Sequence, residues 1–237
     1  MRTIPDVNSA RTQFSVNRIE KEGIRQSLYD FLIYPTGGAN QFSFFQQQQG
    51  QGLSSHPGNA NAVKTIADTN MEAAGQLPNP KNFLVESIEV LFEPGSVATA
   101  NTFTPVAPQF FAAAAAATVG NFIQDQNVIR ITGELQFFIG SKSYLDEAPL
   151  GRFPPKTRAE FNGAVGYATT VAATNAVQGA FVFKAGGRPY YVEPSVFLES
   201  TQNFKVTLNF PIAQATPSGF NGRIGVILDG YLYRNAQ

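Results

Sequence analysis

Between Ile129 and Ile139 the chain sets Ile129, Ile131, Leu135, Phe137 and Ile139 at odd positions and Arg130, Thr132, Glu134 and Gln136 at even ones, with Gly133 and Phe138 as exceptions. A repeat of two predicts a strand with one dry face and one wet face. From Gly140 the alternation stops, and Pro149 and Pro154-Pro155 mark a long shaped loop over residues 140–155. A second clean alternation covers residues 203–210, with Phe204, Val206, Leu208 and Phe210 inward and Lys205, Thr207 and Asn209 outward, and Pro211 ends it. Residues 27–35 predict a first strand closed by the turn 36–40, and QFSFF at 41–45 begins a second apolar segment. In residues 82–93, Leu84, Ile88, Val90 and Phe92 share one parity while Phe83, Val85 and Leu91 share the other. That strand reads as central, with Glu86 and Glu89 near a rim or facing a partner. Residues 222–234 predict a last strand, apolar on both parities, with a bulge or kink at Asp229-Gly230.

Between these runs the signals change. Six alanines, Ala112 to Ala117, predict a helix that begins after Pro108 and ends at Gly120. Residues 67–75 read as a short helix or a turn, with Asp68 or Thr69 as the N-cap and Gly75 as the stop. Glutamine, glycine, serine and asparagine dominate residues 46–62, a long exposed loop. Residues 158–178 favour short strands, and 179–184 is expected to turn through Ala185-Gly186-Gly187 into 188–200 as a hairpin. Residues 1–26 are polar with little periodicity, which predicts an extended arm ahead of one domain at 27–237. The sum is an all-β chain of about eight to ten strands in two antiparallel sheets, an antiparallel jelly-roll β-sandwich. A single jelly roll with long insertions is favoured. A compact double jelly roll is the alternative, and it needs about sixteen strands.

Charge changes this picture in one respect. Seventeen basic residues balance seventeen acidic ones, and charged residues are only 14% of 237. A free monomer usually carries more, so low charge fits a surface covered by other copies. With 21 Phe, 8 Tyr and no Trp, the aromatic content suits a core between sheets better than a sugar-stacking site. Cysteine is absent, which removes disulfides, thiolate metal sites and cysteine nucleophiles. The first residues lack the apolar core of a secretory signal, and the most apolar run, Phe110 to Val119, is too short for a membrane span.

Candidate chemistry is sparse. His56, the only histidine, stands in the polar loop before Pro57 and reads as solvated. Asp68 with Glu72, Glu86 with Glu89, Asp146 with Glu147 and Glu193 with Glu199 are the close acid pairs. A glycosidase needs two carboxylates roughly 5–10 Å apart across a cleft, and pairs along a strand meet that only by accident. The Gly-Gly at 186–187 lacks the lysine, hydroxyl and helix of a phosphate loop. The chain is expected to be no enzyme, with no catalytic, cofactor-binding or metal-binding residues.

Three stretches, DTNMEAAGQLPNPKNFLVESIEVLFEPG, FFIGSKSYLDEAPLGRFPP and RIGVILDGYLYR, resemble in pattern and order the jelly-roll major capsid proteins of tailless icosahedral bacterial viruses. The resemblance covers about half of the chain, residues 68–95, 128–155 and 204–234, and the tandem double-barrel members are usually longer. It implies a structural virion protein made in the host cytoplasm, forming trimers or related capsomers that tile an icosahedral shell around a genome. The implied partners are other copies of the chain, minor virion proteins, and an internal lipid membrane or the packaged genome reached by the N-terminal arm. Loops 140–155 and 94–110 are then expected to reach neighbouring copies. The alternative is a carbohydrate- or receptor-binding sandwich, spike or lectin-like, with an exposed aromatic face built from Tyr190 and Tyr191 or Tyr231 and Tyr233.

Overall fold

The computed structural model describes residues 21–57, 62–105, 116–165, 177–185 and 187–235. Its strands are β1 Lys21–Tyr34, β2 Gln41–Phe44, β3 Asn82–Glu93, β4 Glu134–Ile139, β5 Lys142–Glu147, β6 Thr157–Val165, β7 Val177–Ala185, β8 Tyr190–Leu198, β9 Phe204–Asn209 and β10 Gly222–Asn235, with one long helix, α1 Ala116–Thr132. Two four-stranded antiparallel sheets have the orders β1-β10-β3-β8 and β2-β9-β4-β5, and β6 pairs with β7 as a separate ribbon. Both sheets contribute to a single core. Leu28, Ile88, Val90, Ile224, Val226 and Leu228 come from one, and Phe42, Phe44, Leu135, Phe137, Val206 and Leu208 from the other. The chain is an all-β sandwich.

The alternation expected for residues 134–139 holds, as do the inward positions expected for β9, but Thr207, expected outward, is 1% exposed. Leu135, Phe137, Val206 and Leu208 are fully buried, and Ile139 and Phe204 nearly so. Residues 128–132 do not continue that strand, because they are the last turn of α1. Ile129 is buried while Ile131 is 72% exposed. Two residues apart on a strand share a face, but on a helix they lie about 200° apart, so that split is the helical one. The helix therefore runs past Gly120, its expected end, and stops at Gly133. A Cβ at Gly133 would stand 2.4 Å from Leu150 and 2.7 Å from Phe210.

Further corrections concern ends and partners. β1 starts at Lys21 and pairs without a break through Lys21↔Asn235 to Tyr34↔Gly222, so residues 21–26 of the expected arm are sheet. Residues 1–20 lie outside the described residues. The expected loop 140–155 contains β5, an edge strand whose positions are only half covered, and a 3-10 turn at Leu150–Arg152. Gly140, at φ 58°, makes the tight turn into it. The expected hairpin between 179–184 and 188–200 is absent, since β7 pairs with β6 and β8 with β3. Gly187 serves close approach instead, as a Cβ there would meet Pro155 O at 1.9 Å. Residues 67–75 form turns rather than a helix.

The irregularity expected at Asp229-Gly230 is present, and its extra residue lies on the facing strand. Asp229 pairs with Ser87 and Gly230 with Val85, leaving Glu86 unpaired. Inward residues of β3 accordingly change parity, from Phe83 and Val85 to Ile88, Val90 and Phe92. The two-faced apolar pattern of β3 is mostly one face interrupted by a bulge. Its remaining part is Leu91, half-buried, and Leu84, which joins Phe197, Tyr231 and Tyr233 in a second buried cluster.

Candidate functional site

The strand registers send the β1–β2, β3–β4 and β9–β10 connections out of one end of the sandwich. The β3–β4 connection carries α1, and the β5–β8 connection carries the β6–β7 ribbon. This loop-bearing end is pinned by side chains that hold backbone. Asn221, 4% exposed, donates through Nδ2 to Thr99 O at 2.7 Å and Thr102 O at 3.0 Å, and its Oδ1 accepts Thr36 N–H at 3.0 Å. Tyr34 donates its hydroxyl to Gln214 O at 2.6 Å, and its ring lies 5.0 Å from Phe42, 5.5 Å from Phe92 and 6.0 Å from Phe210. Three loops and both sheets are joined there.

Against this end opens a cleft of about 590 Å³, bounded by Leu32, Phe42, Leu53, Ala98, Asn101 and Asn221. Among the described residues no ionisable side chain lines it. It offers apolar contact and amide hydrogen bonds. Leu53 at its rim is 47% exposed, and Val63 and Ile66 of the same β2–β3 connection are 52% and 60% exposed. Ile212, on the β9–β10 connection, is 72% exposed.

In three of the four acid pairs singled out in the sequence the two members take different partners. Asp68 is fully buried and accepts hydrogen bonds from Ser54 Oγ, Ser55 N and Oγ, and Thr65 N and Oγ1 at 2.7–3.3 Å. Burial works against its charge, but those donors outweigh it and hold its pKa below the usual carboxylate value. Glu72 is exposed and takes Lys81 at 2.6 Å. Glu86 pairs with Arg25 at 3.2 Å, while Glu89 accepts Lys156 N–H at 2.8 Å and faces Lys156 Nζ at 3.2 Å. Asp229 stands between them, bonded to Arg25 and, at 2.5 Å, to Lys156 Nζ. This charged ladder crosses the β3 bulge and anchors the residue from which the β6–β7 ribbon departs. Asp146 accepts Ser143 Oγ, while Glu147 meets Arg152 and Tyr190. Glu193 and Glu199 are both exposed, and His56 is exposed with Nδ1 3.0 Å from Pro57 O. Among the described residues no cluster of three or more His, Asp or Glu is placed to hold a metal ion.

Of the two expected aromatic faces, the Tyr231–Tyr233 one is absent, while in the other Tyr191 is 36% exposed and Tyr190 half-buried. Tyr231 and Tyr233 are each 2% exposed, and Tyr190 packs on Phe153 at 4.8 Å beneath Arg152. Loop 94–110 is described to residue 105, where it folds back on itself through Gly95↔Pro105.

No family model, no curated protein and no solved structure matches the chain. Its function is therefore read from its own geometry.

Sequence reading missed the buried polar residues that set this geometry. Asp30 interrupts the apolar run SLYDFLIY on the same parity as Leu28 and Tyr34, a charge on a core face and a legible sign of a buried partner. That partner, Lys64, carried no such sign. Asp125 on α1 is 1% exposed, receives Ser218 N–H on Oδ1 at 2.9 Å, and leaves Oδ2 without a protein hydrogen bond. Burial raises its pKa, against the pull of the Ser218 hydrogen bonds. A carboxyl group raised by folding contributes stability below its ordinary value, and that contribution is lost as pH rises through the folded value. Asp125→Asn keeps an acceptor for Ser218 and cannot ionise. Its urea midpoint is expected to exceed wild type at pH 7, with the difference shrinking or reversing towards pH 3. A difference constant across that range would contradict the assignment.

Proposed function

We propose that this chain is a structural virion protein, a single jelly roll with insertions that self-assembles as a major capsid protein around a viral genome. The observation that carries the reading is the strand order. A jelly roll wound from eight strands sends its first, third, sixth and eighth to one sheet and the others to the second. Setting the β6–β7 ribbon aside as an insertion, β1-β10-β3-β8 and β2-β9-β4-β5 fit that winding strand for strand. The ten strands among the described residues fall well short of the roughly sixteen of a double jelly roll, which favours the single form.

The surfaces support assembly over catalysis. Among the described residues the cleft is lined by no ionisable group, and Leu53, Val63, Ile66 and Ile212 offer apolar contacts outside the core. Closed symmetric assemblies repeat one such patch around an axis, and permanent interfaces are apolar at their centres. In this reading the chain acts in the virion, and its partners are other copies of itself in capsomers, minor virion proteins and the enclosed genome or membrane.

Light scattering and negative-stain electron microscopy on one purified sample test the proposal. Trimers, pentamers, hexamers or closed particles are the expected result. A monomer at every concentration and under every assembly condition would overturn it.

A further inference from the structure

We propose that Lys64 and Asp30 form an intramolecular isopeptide bond once the β2–β3 connection closes over β1. Lys64 Nζ lies 2.5 Å from Asp30 Oδ1, and the two side chains are 0% and 1% exposed. A nitrogen hydrogen-bonded to one carboxyl oxygen stands roughly 3–3.5 Å from the carboxyl carbon, the separation of a near-attack conformer. The other oxygen, Oδ2, accepts Phe45 N–H at 2.7 Å. That donor points at the oxygen on which charge gathers when the carbon is attacked.

The donor is held by an unusual backbone. Phe45 sits at φ 66°, a left-handed conformation that is costly for a bulky residue and persists only where its surroundings impose it. Its ring is fully buried and lies 5.5 Å from Phe204. The next turn is fixed as well, since Gly75 N–H donates to Phe45 O at 2.7 Å. On the lysine side, Gly50 N–H donates to Lys64 O at 2.8 Å, and Asp68 gathers Ser54, Ser55 and Thr65 close by in the chain. Packing thus delivers nucleophile, carbon and donor together.

Burial also prepares the charges. An ion pair stripped of water approaches its neutral form, an amine beside a carboxylic acid. Desolvation raises the pKa of Asp30 even against the opposing pull of Lys64. The step balances without a co-reactant. One ammonium proton passes from Nζ to Oδ1, and the freed lone pair bonds to the carboxyl carbon. A second proton follows to Oδ1, the carbon–Oδ1 bond breaks, and water leaves. The third hydrogen stays on the amide nitrogen, and Oδ2 remains as the amide carbonyl under Phe45 N–H. In a chain without cysteine, this tie would lock residues 34 apart in sequence. The inference does not depend on whether the chain assembles.

Intact-mass spectrometry of the folded wild-type protein, denatured just before injection, tests it. The expected mass is that of the sequence less one water, after allowance for the initiator methionine. Trypsin normally releases Gln26–Lys64, because no Lys or Arg lies between Arg25 and Lys64. A linked Lys64 is not cut, so the expected fragment is Gln26–Lys81 less one water, while Lys64→Arg regains full mass and cleavage after residue 64. A wild-type protein with native sheet content, full sequence mass and complete cleavage after Lys64 would overturn the proposal. So would a water loss traced to another site, such as Asp229-Gly230.

Discussion

Measured against wild-type protein in which Lys64 and Asp30 are not covalently joined, Lys64→Ala is expected to lower the free energy of unfolding by roughly 3–5 kcal/mol at neutral pH, the usual cost of removing one partner of a buried ion pair. Against the joined form the loss is larger, because the tie across 34 residues goes with it. Lys64 Nζ bonds Asp30 Oδ1, and both side chains are inaccessible to water. Without the ammonium, Asp30 keeps Phe45 N–H as a donor, too little for a charge in an apolar core. The carboxylate must then bind a proton to remain buried. Its folded pKa, already raised by burial, rises further once Lys64 no longer opposes the shift. A raised acid loses its stabilising contribution as pH increases, so the deficit is expected to be largest at pH 7 and smaller near pH 4. Urea unfolding at the two pH values checks both the size and the sign. A deficit under about 1 kcal/mol at neutral pH would show that the pair is hydrated in solution.

Phe137→Ala is expected to cost about 3–5 kcal/mol, the range for truncating a buried aromatic ring. Phe137 is fully buried in the middle of β4, between Val206 of β9 and Leu145 of β5. Neighbours on two strands are held by their own ladders and cannot collapse into the void, which places the loss towards the upper end. Ile212→Ala, at a residue 72% exposed, is the matched control and is expected to stay within about 0.5 kcal/mol. Thermal or urea unfolding of the pair measures the contrast. Equal losses would mean that the β9–β4 face is not the core.

These two sites also show what the sequence could and could not disclose. Phe137 was legible because its strand has one wet face, and a period of two then marks the dry one. Lys64 was not, because a lone lysine in a connection without periodicity looks solvated until the strand beneath it is known. Ile129 and Ile131 extended the β4 alternation into a helix, since five residues sample too little of either period to separate them. β3 looked apolar on both faces because Glu86 adds one residue and exchanges the parities, which only pairing with β10 reveals. At Gly186-Gly187 a local turn signal was outweighed by distant pairing, for β8 gains β3 as its neighbour. The acid pairs were visible as neighbours in sequence, but their partners Arg25, Lys81 and Lys156 come from elsewhere in the chain.

The place of β10 in its sheet bears on when the protein can fold. It lies between β1 and β3, so until residues 222–235 have left the ribosome β1 has no strand neighbour and β3 has only β8. Arg25 and Asp229, joined by an ion pair, are separated by 204 positions in the chain. Pairing over such a separation is slow, because the loop must close before any contact rewards it. Nascent chains therefore wait with the first sheet unfinished, and surfaces that need the complete sandwich are withheld from polysomes. Translation itself then acts as a timer, since the sandwich closes only after β10 has emerged.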